Sequence, residues 1–171
     1  MKKTLNIMLS LFFLFSISLS VSSQSDQKDL DQAKLAKQFI GNWVSEIGTD
    51  TIAFMEIGHS GKGLYFHLEW KAKGETYSTA RSVLGFTENY ESVVLYSIWQ
   101  EGIVGKDIGK FVSPKKLVME RFLSEGNHSI SINEIDFSTP DTWTWTSKWR
   151  GMETTWEPLR TYKWIFTKVK E

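Results

Sequence analysis

The feature that most constrains this chain is a regular series of short strand-like runs that fills almost all of the sequence after Trp43. These runs are rich in aromatic and β-branched residues, and several alternate between apolar and polar positions. Glycine, proline, asparagine and aspartate lie between them, which is typical of turns. The runs cover residues 42–46, 50–57, 63–73, 75–86, 92–99, 105–112, 115–122, 129–137, 142–149 and 161–169.

The spacing of these runs predicts an all-β fold, an antiparallel meander of about 8–10 strands with short connections. A meander of this kind either closes into a barrel or stacks as a sandwich, and the strand spacing leaves both open. One short amphipathic helix is predicted before the first strand, over residues 29–39, because Leu30, Leu35 and Phe39 recur at helical spacing ahead of Gly41.

The N-terminal residues have the pattern of an export signal. Lys2 and Lys3 precede an apolar run over residues 5–21, and small residues at 21–23 suit cleavage before Gln24. The run is shorter than the roughly 20 residues that a membrane span requires, and serines interrupt it. We therefore expect residues 1–23 to be a cleaved signal peptide, the protein to be secreted or periplasmic, and no membrane span to remain after cleavage.

The cysteine content and the charge exclude several kinds of modification and binding partner. The chain contains no cysteine, which excludes a lipid-modified N-terminal cysteine and any disulfide. The 20 basic residues include Lys2 and Lys3 of the leader, so a mature chain carries 18 against 20 acidic residues, a net charge of −2. Because there is no basic run or stripe, we expect no nucleic-acid partner. The sequence leaves the oligomeric state open.

The start of the first predicted strand resembles a known family. Gly41 and Trp43 match the Gly-x-Trp signature that opens lipocalins and related calycin β-barrels, and residues 162–168 resemble the ending of uncharacterised secreted bacterial lipocalin-like families. The resemblance implies a lipocalin-like barrel over residues 41–171, preceded by a polar tail and short helix over residues 24–40. A count of ten strands favours the fatty-acid-binding branch over the eight-stranded one.

The same resemblance implies a basic side chain that covers Trp43. In lipocalins this side chain comes from near the C-terminal strand, and the candidates here are Arg150, Arg160 and Lys163. The related haem-binding barrels use a histidine late in the chain, and none follows His128. We therefore expect no haem and no other cofactor.

Motifs for catalysis or metal binding are not found. The sequence has no nucleophile elbow, phosphate loop or zinc-hydrolase motif, so no catalytic residue is assigned. His67 and Glu69 share one strand face at a spacing that suits two metal ligands, but no third ligand has recognisable spacing, and we predict no metal site. An enzyme with an unrecognised site, using Glu69, Glu120 or Asp136, is the weakest of three hypotheses.

The leading hypothesis comes from the eight tryptophans, all of which follow the leader. An aromatic barrel interior either fills completely with side chains or leaves an apolar cavity that binds a small apolar or amphipathic ligand without transforming it. The candidate ligand-binding residues are Trp70, Arg81, Trp99, Arg121, Trp143, Trp145, Trp149, Tyr162 and Trp164.

The two arginines are included because each shares a strand face with apolar residues. Arg81 lies on the face of Val83, and Arg121 lies on the face of Leu117 and Met119. A buried arginine needs a partner, and a ligand carboxylate is one candidate.

The rival hypothesis is a secreted glycan-binding β-sandwich. Trp143, Trp145 and Trp149 share one strand face and would form an exposed platform on which sugar rings stack.

Overall fold

The computed structural model describes residues 30–123, 129–149 and 160–170. It contains ten strands: β1 (Gly41–Ile47), β2 (Thr51–Ser60), β3 (Gly63–Ala72), β4 (Glu75–Phe86), β5 (Val93–Trp99), β6 (Val104–Ser113), β7 (Lys116–Leu123), β8 (Ser129–Thr139), β9 (Thr142–Trp149) and β10 (Arg160–Lys168). Each strand pairs antiparallel with its neighbours in sequence, and β1 also pairs with β10. The predicted meander barrel is confirmed. The sandwich of the rival hypothesis is wrong, because the strand order closes on itself.

A short helix precedes the barrel. Helix α1 (Gln32–Ala36) continues into one turn of 3-10 helix (Lys37–Phe39), so the regular helix is shorter than predicted. The Asp31 side chain caps it by accepting a hydrogen bond from the backbone N–H of Lys34 at 2.9 Å. No helix in the described ranges is long and apolar enough to cross a membrane. The predicted signal peptide lies outside the described residues.

Helix α1 is fastened to the barrel by the side chain of Gln32. The Gln32 Oε1 atom accepts a hydrogen bond of 2.7 Å from the backbone N–H of Phe111, near the end of β6. Gln38 makes a second link, donating from Nε2 to the carbonyl oxygen of Pro114 at 3.0 Å. We call this the helix end of the barrel, and the opposite end, where β3 passes into β4, the far end.

The helix end is filled by a cluster of aromatic rings. The Phe39 ring lies at its centre, edge-on to Phe66, Phe137 and Trp143 at centroid distances of 5.6, 4.9 and 5.5 Å. Trp143 also stacks on Phe166 at 4.3 Å. Each of these five side chains is buried. This half of the barrel is therefore a packed aromatic core.

Trp43 lies at the point where the barrel closes. Its Nε1 donates to the carbonyl oxygen of Phe39 at 2.6 Å, and its ring is covered by Lys168, whose Nζ lies 5.4 Å from the ring centroid. Gly41 permits this contact, because a Cβ there would lie 2.7 Å from Lys168 Cε and its φ is +137°.

Two of the three candidates for the basic partner of Trp43 were wrong. Arg160 pairs with Trp149 at the far end, and Lys163 is exposed on the outer surface of β10. Arg150 lies outside the described residues. The register that sets Trp43 opposite Lys168 decides the partner.

The inward face of β4 corrects the prediction for Arg81. Arg81 and Val83 are exposed, so this face of β4 is the outer one. The inward positions are Ser78, Ala80 and Ser82, which pair across from Trp70, Leu68 and Phe66 of β3. Small side chains face large ones here, so the prediction that placed Arg81 inside the barrel was wrong.

Candidate ligand-binding cavity

The half of the barrel towards the far end contains a cavity of about 360 Å³ that is partly open to solvent. It lies beyond the aromatic cluster of the helix end and is bordered by residues of β2, β3, β4, β5, β7, β8, β9 and β10. Its lining residues are Met55, Leu68, Trp70, Tyr77, Ser78, Ala80, Trp99, Arg121, Asn133, Trp145, Ser147, Trp149, Trp164 and Phe166. Its volume falls within the range of small-molecule binding pockets, near the lower end.

Small inward residues create this space. Ser78, Ala80 and Ser147 line the cavity where the helix end has phenylalanine and tryptophan. Gly105 of β6 is another small residue beside the cavity. A Cβ placed on it would have Arg121 Nε as its nearest atom, at 3.8 Å. The cavity therefore follows from side-chain volume, because these inward residues are too small to fill the space between the tryptophans.

The apolar walls are formed largely by tryptophans. Trp164 lies at their centre, with Trp70 edge-on at 6.0 Å and Trp145 edge-on at 6.3 Å. Trp99 and Trp149 complete the five, and all five are half-buried, in contrast to the fully buried Trp43 and Trp143. Half-buried indoles around a space are positioned to contact a ligand.

A buried polar cluster lies behind one wall. Arg121 donates from Nε to both carboxylate oxygens of Asp107, at 3.1 and 3.2 Å, and from Nη2 to Oδ2 at 3.0 Å. Asp107 is completely buried and Arg121 is 8 % exposed. The Arg121 guanidinium also lies over the Trp99 ring, 5.3 Å from its centroid. The partner of this buried arginine is thus a residue of the barrel.

Asn133 connects the ion pair to the tryptophan wall. Its Nδ2 donates to Asp107 Oδ1 at 2.6 Å, and its Oδ1 accepts from Trp145 Nε1 at 3.1 Å. Burial raises the pKa of Asp107, while Arg121 and Asn133 act in the opposite direction by favouring the charged carboxylate. Burial is the larger effect, so the pKa of Asp107 stays above its ordinary value, and the two donors offset only part of the cost of burying the carboxylate.

Six of the nine predicted ligand-binding residues line the cavity: Trp70, Trp99, Arg121, Trp145, Trp149 and Trp164. The other three lie elsewhere. Trp143 belongs to the packed helix end, Arg81 is exposed on the outer surface, and Tyr162 stacks on Trp164 at 5.8 Å with 41 % of its surface exposed. The exposed platform of Trp143, Trp145 and Trp149 is wrong, because Trp143 is fully buried.

Sequence reasoning missed Asp107 and Asn133. Asp107 shares its strand face with Gly105, Gly109 and Phe111, and Asn133 shares its face with Ser131 and Ile135. The one charged residue on the inward face of β6 was a usable signal for Asp107, whereas Asn133 had no such signal. The meeting of Asp107 with Arg121 depends on the register of β6 against β7, which aligns them directly.

No protein-family model and no curated protein matches this chain. Its functional assignment therefore depends on the residues of the barrel.

The pair of possible metal ligands on β3 lies on the outer surface. His67 Nε2 is 3.8 Å from Glu69 Oε1, and Glu69 Oε2 is 3.0 Å from Lys71 Nζ. The hydrogen bond from Lys71 lowers the pKa of Glu69. Within the part of the chain that the structure describes, no three His, Cys, Asp or Glu residues are grouped to hold a metal ion.

Proposed function

We propose that this protein is an exported, lipocalin-like barrel that binds a small apolar or amphipathic molecule in its cavity and does not transform it. The observation that carries the proposal is the cavity of about 360 Å³ with five half-buried tryptophans in its wall. Binding pockets for small molecules are mostly apolar and aromatic, with a few polar groups that fix orientation. Arg121, Asn133 and Ser147 are such groups here.

The contrast between the two halves of the barrel supports this function over a purely structural core. The helix end is filled by rings in direct contact, among them Phe39 and Trp143 at 5.5 Å. The other half is also rich in large aromatic residues, yet small residues such as Ser78 and Ala80 leave space beside them. A core selected only for stability would fill this space, because cavities are destabilising.

Two further features support the family and the compartment. The ten-strand meander and the Gly41-x-Trp43 motif with Lys168 over the indole are those expected of a calycin barrel. The basic, apolar and small-residue segments of residues 1–23 support export.

The test is titration of the purified mature chain with 1-aminoanthracene, an uncharged fluorescent probe, followed by tryptophan quenching and probe emission. We expect saturable binding with one site per chain. Native mass spectrometry of fresh preparations then shows whether a cellular molecule is retained. If no preparation retains a molecule and the probe does not bind, the proposal is wrong.

Two variants of β4 locate the site. Ala80→Phe adds a ring to an inward position in the cavity lining, and Val83→Phe adds the same ring to an outward position that is 52 % exposed. We expect Ala80→Phe to weaken probe binding at least tenfold and Val83→Phe to leave it unchanged. Equal effects of the two variants would place the probe outside the barrel.

A further inference from the structure

The polar groups of the cavity determine what charge a ligand can carry. Among the described residues that line the cavity, Arg121 is the one cationic side chain, and the others are apolar, aromatic or uncharged polar residues. An arginine in an apolar pocket suggests an anionic ligand, as the sequence did. The geometry behind Arg121 argues against this.

Arg121 is already paired with an anion. Its Nε and Nη2 both donate to Asp107, whose carboxylate is completely buried and also accepts from Asn133. The guanidinium is permanently charged, and direct contact with it favours the charged form of the carboxylate. The pair is therefore formally neutral, and the cavity has no uncompensated positive charge among its described residues.

Two free-energy costs oppose the binding of a ligand carboxylate at this site. It would lose its hydration inside an aromatic cavity, and it would approach Arg121 next to the carboxylate of Asp107, where like charges repel. An uncharged ligand meets neither penalty. Its apolar body contacts the tryptophan walls, and an oxygen or nitrogen acceptor can take a hydrogen bond from a donor in the lining such as Arg121 or Ser147.

Building on the proposed function, we propose that the ligand of this barrel is electrically neutral: an apolar molecule, aromatic or aliphatic, with an uncharged hydrogen-bond acceptor. Asp107 is the residue that sets this preference, although it does not line the cavity. It acts by holding Arg121 in a charge-compensated pair, so that the barrel excludes fatty acids and other carboxylates of suitable shape.

The test uses competitors that differ in charge but share a body. Decan-1-ol is compared with decanoate, and 4-phenylbutan-1-ol with 4-phenylbutanoate, each by displacement of 1-aminoanthracene at pH 7.5 and by isothermal titration calorimetry. We expect the alcohol of each pair to bind at least fivefold more tightly. A smaller preference, or tighter binding of either carboxylate, overturns the proposal while leaving ligand binding itself intact. Failure of the probe and all four competitors to bind contradicts the proposed function and this inference together.

Variants then assign the preference to Asp107. Asp107→Asn keeps the shape and removes the counter-charge, and we expect it to raise affinity for the carboxylates at least tenfold while changing affinity for the alcohols less than threefold. Asp136→Asn is the matched control, because it removes one negative charge from a half-exposed side chain on the outer surface of β8. A folded Asp107→Asn variant with no gain in carboxylate affinity overturns the proposal.

The double variant Asp107→Asn/Arg121→Gln covers the case in which Asp107→Asn does not fold because Arg121 is left unpaired. It removes both charges together, so the cavity stays neutral, and we expect the alcohols to keep their preference. If the double variant binds the carboxylates as tightly as the alcohols, the proposal is overturned. The comparison of alcohols with carboxylates on the wild-type protein tests the proposal whether or not the variants fold.

Discussion

Lys168 places its ammonium nitrogen 5.4 Å from the ring centroid of Trp43, where the last strand of the barrel pairs with the first. The indole below it is fully buried and donates to Phe39 of the 3-10 turn. Trp43, which belongs to the first strand, thus contacts both the helix segment and the last strand. The closure of the barrel and the docking of the helix are connected through Trp43.

The contact between Lys168 and Trp43 predicts a measurable loss of stability on removing the charge. Lys168→Met keeps an apolar stem over the ring and removes the ammonium, so we expect the free energy of unfolding to fall by about 0.5–1 kcal/mol. Urea denaturation measures the change. Lys163→Met, at an exposed position on the same strand, is the control and should change stability by less than about 0.5 kcal/mol. Equal losses from both variants would show that the ring contact contributes nothing.

The second prediction concerns the link between helix and barrel. Gln32→Ala removes the acceptor for the backbone N–H of Phe111 and leaves that buried donor without its partner, at a cost of about 1–3 kcal/mol. Gln38→Ala removes the exposed hydrogen bond to Pro114 and should cost less than about 0.5 kcal/mol. Thermal and urea unfolding measure both. A Gln32 variant as stable as the Gln38 variant would mean that the helix is not anchored through this side chain.

The strands could be predicted from the sequence because the signals that define them are local. Alternation within a run and turn residues between runs depend on neighbours along the chain, and the ten predicted runs correspond to the ten strands of the barrel. The tryptophans of the cavity were found for the same reason. Trp145 and Trp149 follow the alternation of their own strand, and both line the cavity.

Contacts between side chains on different strands could not be predicted from the sequence, because they depend on which strands pair and in what register. Lys168 covers Trp43 because β1 pairs with β10, at the two ends of the chain. Arg121 meets Asp107 only in the register that β6 and β7 adopt. Arg81 was placed inside because it shares a strand face with Tyr77 and Val83. In the barrel, the small residues of β4 face inwards instead, because they lie opposite the large side chains of Trp70 and Phe66.

The third prediction uses two glycines that lie within strands. A Cβ on Gly109 would lie 1.9 Å from the carbonyl oxygen of Val118 on β7, which is backbone and cannot rotate away. Gly109→Ala should therefore destabilise the protein by about 3 kcal/mol or more, since β6 and β7 must move apart. A Cβ on Gly85 meets no atom within 4 Å, and Gly85→Ala should stabilise by about 0.4–1 kcal/mol through reduced chain entropy in the unfolded state. Urea denaturation should give changes of opposite sign; a tolerated alanine at 109 would contradict the close pairing of these strands.

The fourth prediction concerns pH and the outer surface of β7, β8 and β9. Glu134 accepts hydrogen bonds from Lys148 and, at 2.9 Å, from Lys116, and these contacts lower its pKa. Because the folded-state pKa is lower than the unfolded value of about 4.3, the stabilisation is complete above that value and is lost as the pH falls through the folded-state pKa. Glu134→Gln should cost about 1 kcal/mol at pH 7, and the difference from wild type should shrink towards zero as the pH falls below about 4. Urea denaturation from pH 3 to 8 gives this difference, with Glu120→Gln as the control at an exposed position of β7. A difference that stays constant down to pH 3 would show that the hydrogen-bond geometry of Glu134, and not its charge, contributes the stability.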